Sequence, residues 1–399
     1  MFATAIVAAY LLGQNIPLPL VRVSSVELPA GGTFVQMLQA FNGSSRQNVS
    51  IFALGIMPYM MASILLMLKN LGRTDKKRLS AISPSRQSRI LTLLICSVMA
   101  FLRTREYEYT RLLFESPALT RLFAMVLMIG GVYAIIWLTD LNSEYGIGGM
   151  TIVIIVNIIK NILRSGINVW AGFETGLYGG RQDLYRILAL FLIGLFSMIL
   201  IMLMEDSEFR IPVQKVMIYN EMSQDNYMAF KLDPAGMQPM MYVMAFYIIP
   251  YLLLSILAQL FPKRTVFALL ADKVQLDTFT GIGFFLILFF FLALALALVQ
   301  LSPSDLAEEM MKRSDCIIGL RPGKETEVYL RRVLLSLSIS SSLILGVMIA
   351  LPMVLRITWG LPQEMVMVPM SLMFVGGISR SFARELRALG SLDSYQEVL

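Results

Sequence analysis

Phe279-Thr280-Gly281-Ile282-Gly283-Phe284-Phe285-Leu286-Ile287-Leu288-Phe289-Phe290-Phe291-Leu292-Ala293-Leu294-Ala295-Leu296-Ala297-Leu298-Val299-Gln300-Leu301 runs without one charged side chain. At a rise of about 1.5 Å per residue, a helix of this length crosses the roughly 30 Å hydrocarbon core of a bilayer. An isolated strand would leave its backbone groups unpaired in lipid, so the run reads as a transmembrane helix. Working outward, nine more segments share this character: roughly 2–14, 50–68, 88–102, 119–138, 147–169, 184–204, 236–261, 333–355 and 365–379. The fold class is all-α, a polytopic membrane protein of about ten transmembrane helices. The first segment is too short to span unaided and starts at Met1 without preceding basic residues, so part of that span is expected to be absent from the chain. A signal peptide is the rival reading, against which Gln14-Asn15-Ile16-Pro17-Leu18-Pro19 offers no small-residue cleavage site.

Composition agrees. Hydrophobic residues make up 57% of the 399 and charged residues 15%, where a soluble chain carries about 25%. There is no histidine, which removes the commonest general base and zinc ligand together with every serine- or cysteine-type triad. Cys96 and Cys316 are too far apart in the chain for metal-ligand spacing or a disulfide framework. No metal or other cofactor is expected, and no enzyme activity. The net charge of +6 is small, and no basic cluster is interleaved with aromatics, so nucleic acid is not an expected partner.

Orientation follows from lysine and arginine in the loops. Segment 69–89 carries Lys69, Arg73, Lys76, Lys77, Arg78, Arg86 and Arg89 against Asp75 alone. That loop is expected in the cytoplasm, and with ten spans both termini join it. Two further loops on that side, 205–235 and 302–332, are long enough to build structure beyond the membrane. Ser302-Pro303-Ser304-Asp305 predicts a short helix with Ser302 as its cap. Leu306 and Met310 would share a face opposite Glu308, Glu309 and Lys312. The result is either a solvated hairpin or a docking surface for a cytoplasmic partner.

Ionisable groups sit at the ends of the expected spans: Lys69, Asp140, Lys160 and Glu205. An ion-coupled carrier needs something at mid-membrane to titrate or bind its ion, and a membrane-embedded enzyme needs a titratable group at depth. Neither reading finds its residues. The 28 methionines gather as Met57, Met60, Met61 and Met67, as Met237, Met240, Met241 and Met244, and as Met365, Met367, Met370 and Met373. Such thioethers either fill gaps in apolar helices or line a passage that deforms around varied polypeptides.

Several colinear stretches resemble the SecY family of protein-translocating channels. They are Gly13-Gln14-Asn15-Ile16-Pro17-Leu18-Pro19, Ser50-Ile51-Phe52-Ala53-Leu54-Gly55-Ile56-Met57-Pro58-Tyr59, Trp137-Leu138-Thr139-Asp140 with Gly146-Ile147-Gly148-Gly149, and Arg210-Ile211-Pro212-Val213 with Pro234-Ala235-Gly236. Gly319-Leu320-Arg321-Pro322-Gly323-Lys324 with Thr326, Tyr329 and Leu330 completes the series. That last stretch is no nucleotide-binding P-loop: three residues separate its glycines and Glu325 follows the lysine. Energy must come from a partner.

The resemblance implies two pseudo-symmetric five-helix halves, 1–170 and 184–399, joined by an external hinge at 171–183. It implies a plug in region 24–48, with Phe34, Met37, Leu38 and Phe41 on the apolar face of a short helix; an ordinary amphipathic loop helix would show the same pattern. It places a pore ring on Ile56, Met60, Met241 and Phe374 and, allowing one missing residue in the glycine motif, on Met150 and Ile154. Apolar, flexible side chains at a constriction deny ions a substitute for hydration. A lateral gate would lie between the second and seventh spans. Its residues would be Met61, Ser63, Met99 and Asp233: Met61 and Met99 replace the family's polar positions of the second and third spans, and Asp233 replaces an asparagine at the start of the seventh span as its cap. Altered signal selectivity is the expectation. Arg321, with Pro322, Gly323 and Lys324, would dock a motor or ribosome, or else hold the loop to itself.

The trimmed ends, drifted gate and acidic loop are most similar to the accessory SecY-type channels of Gram-positive bacteria. Those work with an accessory SecA-type motor ATPase and small Sec-type or accessory secretion membrane subunits. They pass a secreted polypeptide, typically a serine-rich glycosylated adhesin, across the plasma membrane. A diverged general SecY channel is the alternative within the family, and a secondary transporter of a small solute the alternative outside it.

Overall fold

The computed structural model describes residues 2–19, 21, 49–70, 86–105, 107, 109, 116–175, 180–215, 226–260, 265–361 and 363–396. The expected plug residues Phe34, Met37, Leu38 and Phe41, and most of the basic loop, lie outside them. Its elements in chain order are α1 (Phe2–Asn15), α2 (Met57–Asn70), α3 (Arg86–Arg105), α4 (Pro117–Tyr145), α5 (Thr151–Glu174) and α6 (Arg181–Asp206). Then come β1 (Glu208–Lys215), β2 (Tyr227–Lys231), α7 (Gln238–Leu260), α8 (Thr265–Val274), α9 (Phe279–Gln300), α10 (Pro303–Lys312), β3 (Asp315–Ile317), α11 (Lys324–Trp359) and α12 (Gln363–Gln396). Each of the ten expected spans has its helix: α1 to α7, α9, α11 and α12. Seven are long and apolar enough among the described residues to cross a bilayer, and Phe2–Asn15 and Met57–Leu66 are shorter apolar helices.

Boundaries shift where local chemistry overrides hydropathy. Residues 51–56 form turns rather than the start of a helix. Gly55 has φ +60°, and Pro58 sits in the first turn of α2, where its missing N–H is harmless. Helix α11 begins nine residues before its apolar stretch, with Glu325 and Glu327 in its first turn favoured by the helix dipole. It ends at Gly360, whose φ of +63° lets its N–H cap Arg356 O.

The expectation of pure α structure misses a three-stranded antiparallel sheet, in the order β2-β1-β3. Phe209 pairs with Phe230 and Ile211 with Met228, while Val213 pairs with Ile317. Pro212 lies where β1 passes from one partner to the other, so its missing N–H costs the ladder little. The inward Ile211 and Val213, with Phe230, Ile317, Met310 of α10 and Leu330, Leu334 and Leu337 of α11, form a separate apolar core. The described parts of loops 205–235 and 302–332 therefore share one core. The amphipathic reading of α10 holds: Met310 is buried and Lys312 exposed, with Glu308–Lys312 and Glu309–Arg313 ion pairs along its outer face. The Ser302 side chain does not cap it. That hydroxyl turns back to Val299 O at 3.4 Å.

Candidate functional site

The main core runs through the membrane helices as one apolar cluster. Its walls are set by a junction of two signature stretches. Ile51 N–H donates to Ile16 O at 3.2 Å and Leu18 N–H to Val49 O at 2.9 Å, so the exit of α1 is stitched to the turn before α2. Helix α4 lies directly against that turn. A Cβ on Gly131 would stand 2.2 Å from Ile51 O.

Near the C-terminal end of α4, Asn142 is fully buried, and its Nδ2 donates to Ile147 O and Gly149 O, both at 2.9 Å. Gly148, at φ +79°, supplies the left-handed turn and donates its N–H to Glu385 Oε1 of α12 at 2.9 Å. The glycine turn thus has its own brace. Met150 emerges from it as the residue before α5.

Of the six expected ring residues, Ile56, Met60, Ile154 and Phe374 belong to the main apolar cluster, and Met150 and Met241 pack against it. Ile56, Met60, Ile154 and Phe374 are at most 2% exposed, and Met150 and Met241 are half-buried against them. They come from the 51–56 turn, α2, the start of α5, α7 and α12. A methionine-rich core of this kind repacks at low cost.

Beyond Ile154, α5 turns polar. Tyr10 of α1 donates its hydroxyl to Asn157 Oδ1 at 3.0 Å, Gln14 Nε2 reaches the same atom at 3.0 Å, and Lys160 Nζ reaches Gln14 Oε1 at 2.6 Å. Asn161 Nδ2 donates to Ser371 Oγ of α12 at 3.2 Å. These bonds tie α5 to α1 and α12. They also correct one expectation: Lys160 lies within α5, Thr151–Glu174, rather than at its end.

The expected gate residues separate. Met61 and Met99 are buried in the main cluster, where α2 packs on α3 and α7. Ser63 is half-buried and donates to Tyr59 O of its own helix at 2.9 Å. Asp233 is not the cap of α7, which starts at Gln238. Its carbonyl closes a turn with Gly236 N–H at 3.3 Å, and its carboxyl is buried beside Glu205.

Glu205 in turn holds Lys231 at 3.4 Å and pairs with Arg384 of α12, while Arg380 holds Asp206 at 3.0 Å. Burial first, and the Glu205 charge second, push the Asp233 carboxyl up to about 7; hydrogen bonds from Ser341 and the Gly236 N–H, and the Lys231 charge, pull the other way. The folded protein therefore retains a proton that the unfolded chain releases near pH 4. Stability contributed by this group is greatest below that range, falls as pH rises toward about 7 and is level above it, with a slope of up to about 1.4 kcal/mol per pH unit. Asp233→Asn removes the dependence. Thermal unfolding in detergent from pH 5 to pH 8 should show the variant gaining on the native chain as pH rises, and parallel curves would refute the assignment.

On the sheet side, the backbone of Arg321 is pinned. Its N–H donates to Glu325 Oε2 at 3.3 Å and its carbonyl accepts from Thr326 Oγ1 at 2.9 Å. Arg321, Pro322 and Lys324 are exposed, and Gly323 turns the chain into α11 at φ +107°. Neither Arg321 nor Lys324 has an ion pair among the described residues. A fixed backbone with an outward guanidinium fork suits recognition of carboxylates or carbonyls on another surface.

Ten membrane helices around one apolar core, with a small sheet at one end, have the fold of protein-conducting channels. A solved structure titled "The structure of a protein conducting channel" superposes with TM-score 0.63 at 15% identity, covering 97% of this chain and 91% of the other. Sec61 in the canine ribosome-channel complex from the endoplasmic reticulum gives 0.60 at 14%, with the same coverage. The chain belongs to the SecY family, whose model matches residues 50–380. It is similar to the accessory Sec system protein translocase subunit SecY2 of Streptococcus pneumoniae, 26% identical over 100% of this chain and 97% of the relative. The protein of that name in Streptococcus agalactiae is 30% identical over 82% of this chain and 78% of its own. The protein translocase subunit SecY of Staphylococcus epidermidis is 26% identical over 99% and 94%.

Proposed function

We propose that this chain is the central channel subunit of an accessory Sec system in a bacterial plasma membrane. It exports a narrow set of surface proteins, serine-rich glycosylated adhesins among them, with both termini in the cytoplasm. An accessory SecA-type ATPase drives it from the sheet side through Arg321 and Lys324, and small membrane subunits complete the complex. The halves 1–170 and 184–399 part at the hinge 171–183 to open the gate. One observation supports the reading most: Ile56, Met60, Ile154 and Phe374 belong to one apolar cluster and Met150 and Met241 pack against it, so five parts of the chain supply apolar side chains to the same core. A constriction of that composition blocks ions and yields to a peptide. The SecY2 names of the similar streptococcal proteins support the accessory assignment.

The test is site-specific photocrosslinking from position 60 or 241 into stalled export substrates. Cells would make a serine-rich adhesin and, in parallel, a general secreted protein. Crosslinks to the adhesin alone are expected. Crosslinks to both would identify a general channel, and crosslinks to neither, with membrane insertion verified, would remove the polypeptide pathway. In the same cells, Met61→Ser with Met99→Gln should widen the range of signal sequences accepted; an unchanged range would show that the buried methionines do not set selectivity.

A further inference from the structure

Helices α5 and α12 lie far apart in the chain and pack against each other along their lengths. Contacts at three levels show that they run antiparallel. Toward the end of α5, Val169 packs against the small cluster of Leu190, Leu361 and Met365. Midway, Asn161 donates to Ser371. At the sheet-side end the Gly148 N–H donates to Glu385 Oε1. Phe382 lies there too, so close that a Cβ on Gly148 would stand 2.9 Å from its ring. Ile154 of α5 and Phe374 of α12 both fall between the last two levels.

The start of α5 depends on this contact. Its cap position, Met150, makes no side-chain cap, and its first turn holds no acidic residue. A negative group at its positive end must therefore come from elsewhere in the chain, and Glu385 supplies it from α12. Arg384, the residue before, pairs with Glu205, which also holds Lys231 of β2. The turn of α12 that carries Glu385 is thereby tied to the sheet. Gly148 stands about 35 Å of helix away from segment 171–183, so any parting of the halves about that segment moves the Gly148 end of α5 furthest.

We propose that Glu385 is a positioning residue for the constriction. By holding the glycine turn against α12, it keeps Met150 and Ile154 seated beside Phe374 and the passage closed while no polypeptide occupies it. The inference rests on the reading of those residues as the constriction.

Iodide entry into proteoliposomes holding the full chain, read by quenching of a trapped halide-sensitive dye, tests this. Glu385→Ala should admit iodide about tenfold faster than the native chain, the low end for a hydrogen bond to a charged acceptor because Glu385 is exposed. Glu385→Gln keeps an acceptor without the charge and should fall between the two. Glu144→Ala, the same charge loss on the exposed last turn of α4, should match the native chain. A merely structural brace would lower the unfolding midpoint of Glu385→Ala and leave iodide entry at the native rate, which overturns the proposal; so does an equal leak in Glu144→Ala. Met60→Ser with Ile154→Ser, which makes the constriction polar, separates the two readings. If that pair leaks and Glu385→Ala does not, the constriction stands and the role of Glu385 falls. If neither leaks, the constriction reading fails and takes this one with it.

Discussion

Gly131→Ala is expected to leave the channel strongly destabilised, and Gly131→Leu to prevent recovery of folded protein. The added methyl would stand 2.2 Å from Ile51 O, well inside any real contact. That oxygen is backbone rather than the end of a flexible side chain, and the turn that carries it is held on either side by Ile51 N–H to Ile16 O and Ala53 N–H to Ser50 O. The strain must be relieved by moving α4, which carries Met128 and Val132, both fully buried, out of the main core. Overpacking of this kind costs about 1–3 kcal/mol and sometimes more. The neighbouring Gly130 is the internal control, for a Cβ there meets nothing within 4 Å. Gly130→Ala should be neutral or stabilising, because alanine is the better helix former by about 1 kcal/mol. Thermal unfolding of the two variants side by side checks this, and equal midpoints would refute the close crossing of α4 over the 51–56 turn.

Leu330→Ala is expected to loosen the sheet while leaving the membrane helices intact. Leu330 is fully buried in the core where α11 meets all three strands and α10. Truncating such a leucine costs about 2–5 kcal/mol. Because the sheet has its own core, separate from the main one, the loss stays local. Hydrogen exchange of β1 and β3 amides should accelerate by about thirtyfold or more, with exchange in α9 and α12 unchanged. Val328→Ala, on the exposed face of the same helix, should alter neither. If the exchange rates of β1 and β3 do not change, Leu330 is not what seats the sheet. If Arg321 docks the motor as proposed, export should fall with the sheet's order, since Arg321 is held by the first turn of the same helix.

The helices were legible because lipid leaves few alternatives: an uncharged run such as 279–301 is satisfied by a helix and little else. Candidate ring positions could be proposed from the signatures because each sits at a short distance along one element from a recognisable motif. What escaped was structure made between distant segments. Ile211 and Val213 alternate with exposed residues, a strand signal visible in sequence, but Pro212 between them argues against a central strand, and β3 is too short to announce itself. Asp233-Pro234 has the pattern of a helix start, yet Glu205 and Lys231 claim that region for an ionic cluster. Tyr10 and Gln14, one turn apart on α1, were a readable polar face. Their partner Asn157 lies far along the chain, where one sequence offers no pairing information.

The strand pairing also fixes an order of assembly. Strand β3 joins β1 through Val213 and Ile317, and α7, α8, α9 and α10 are all made between them. A chain halted before residue 315 has Val213-Gln214-Lys215 open along one edge, and without α11 the sheet has no Leu330 beneath it. The surface that carries Arg321 is therefore completed only after the eighth membrane helix has been synthesised. Closure of the sheet marks a nearly finished polypeptide, and an unfinished one has no complete platform to offer.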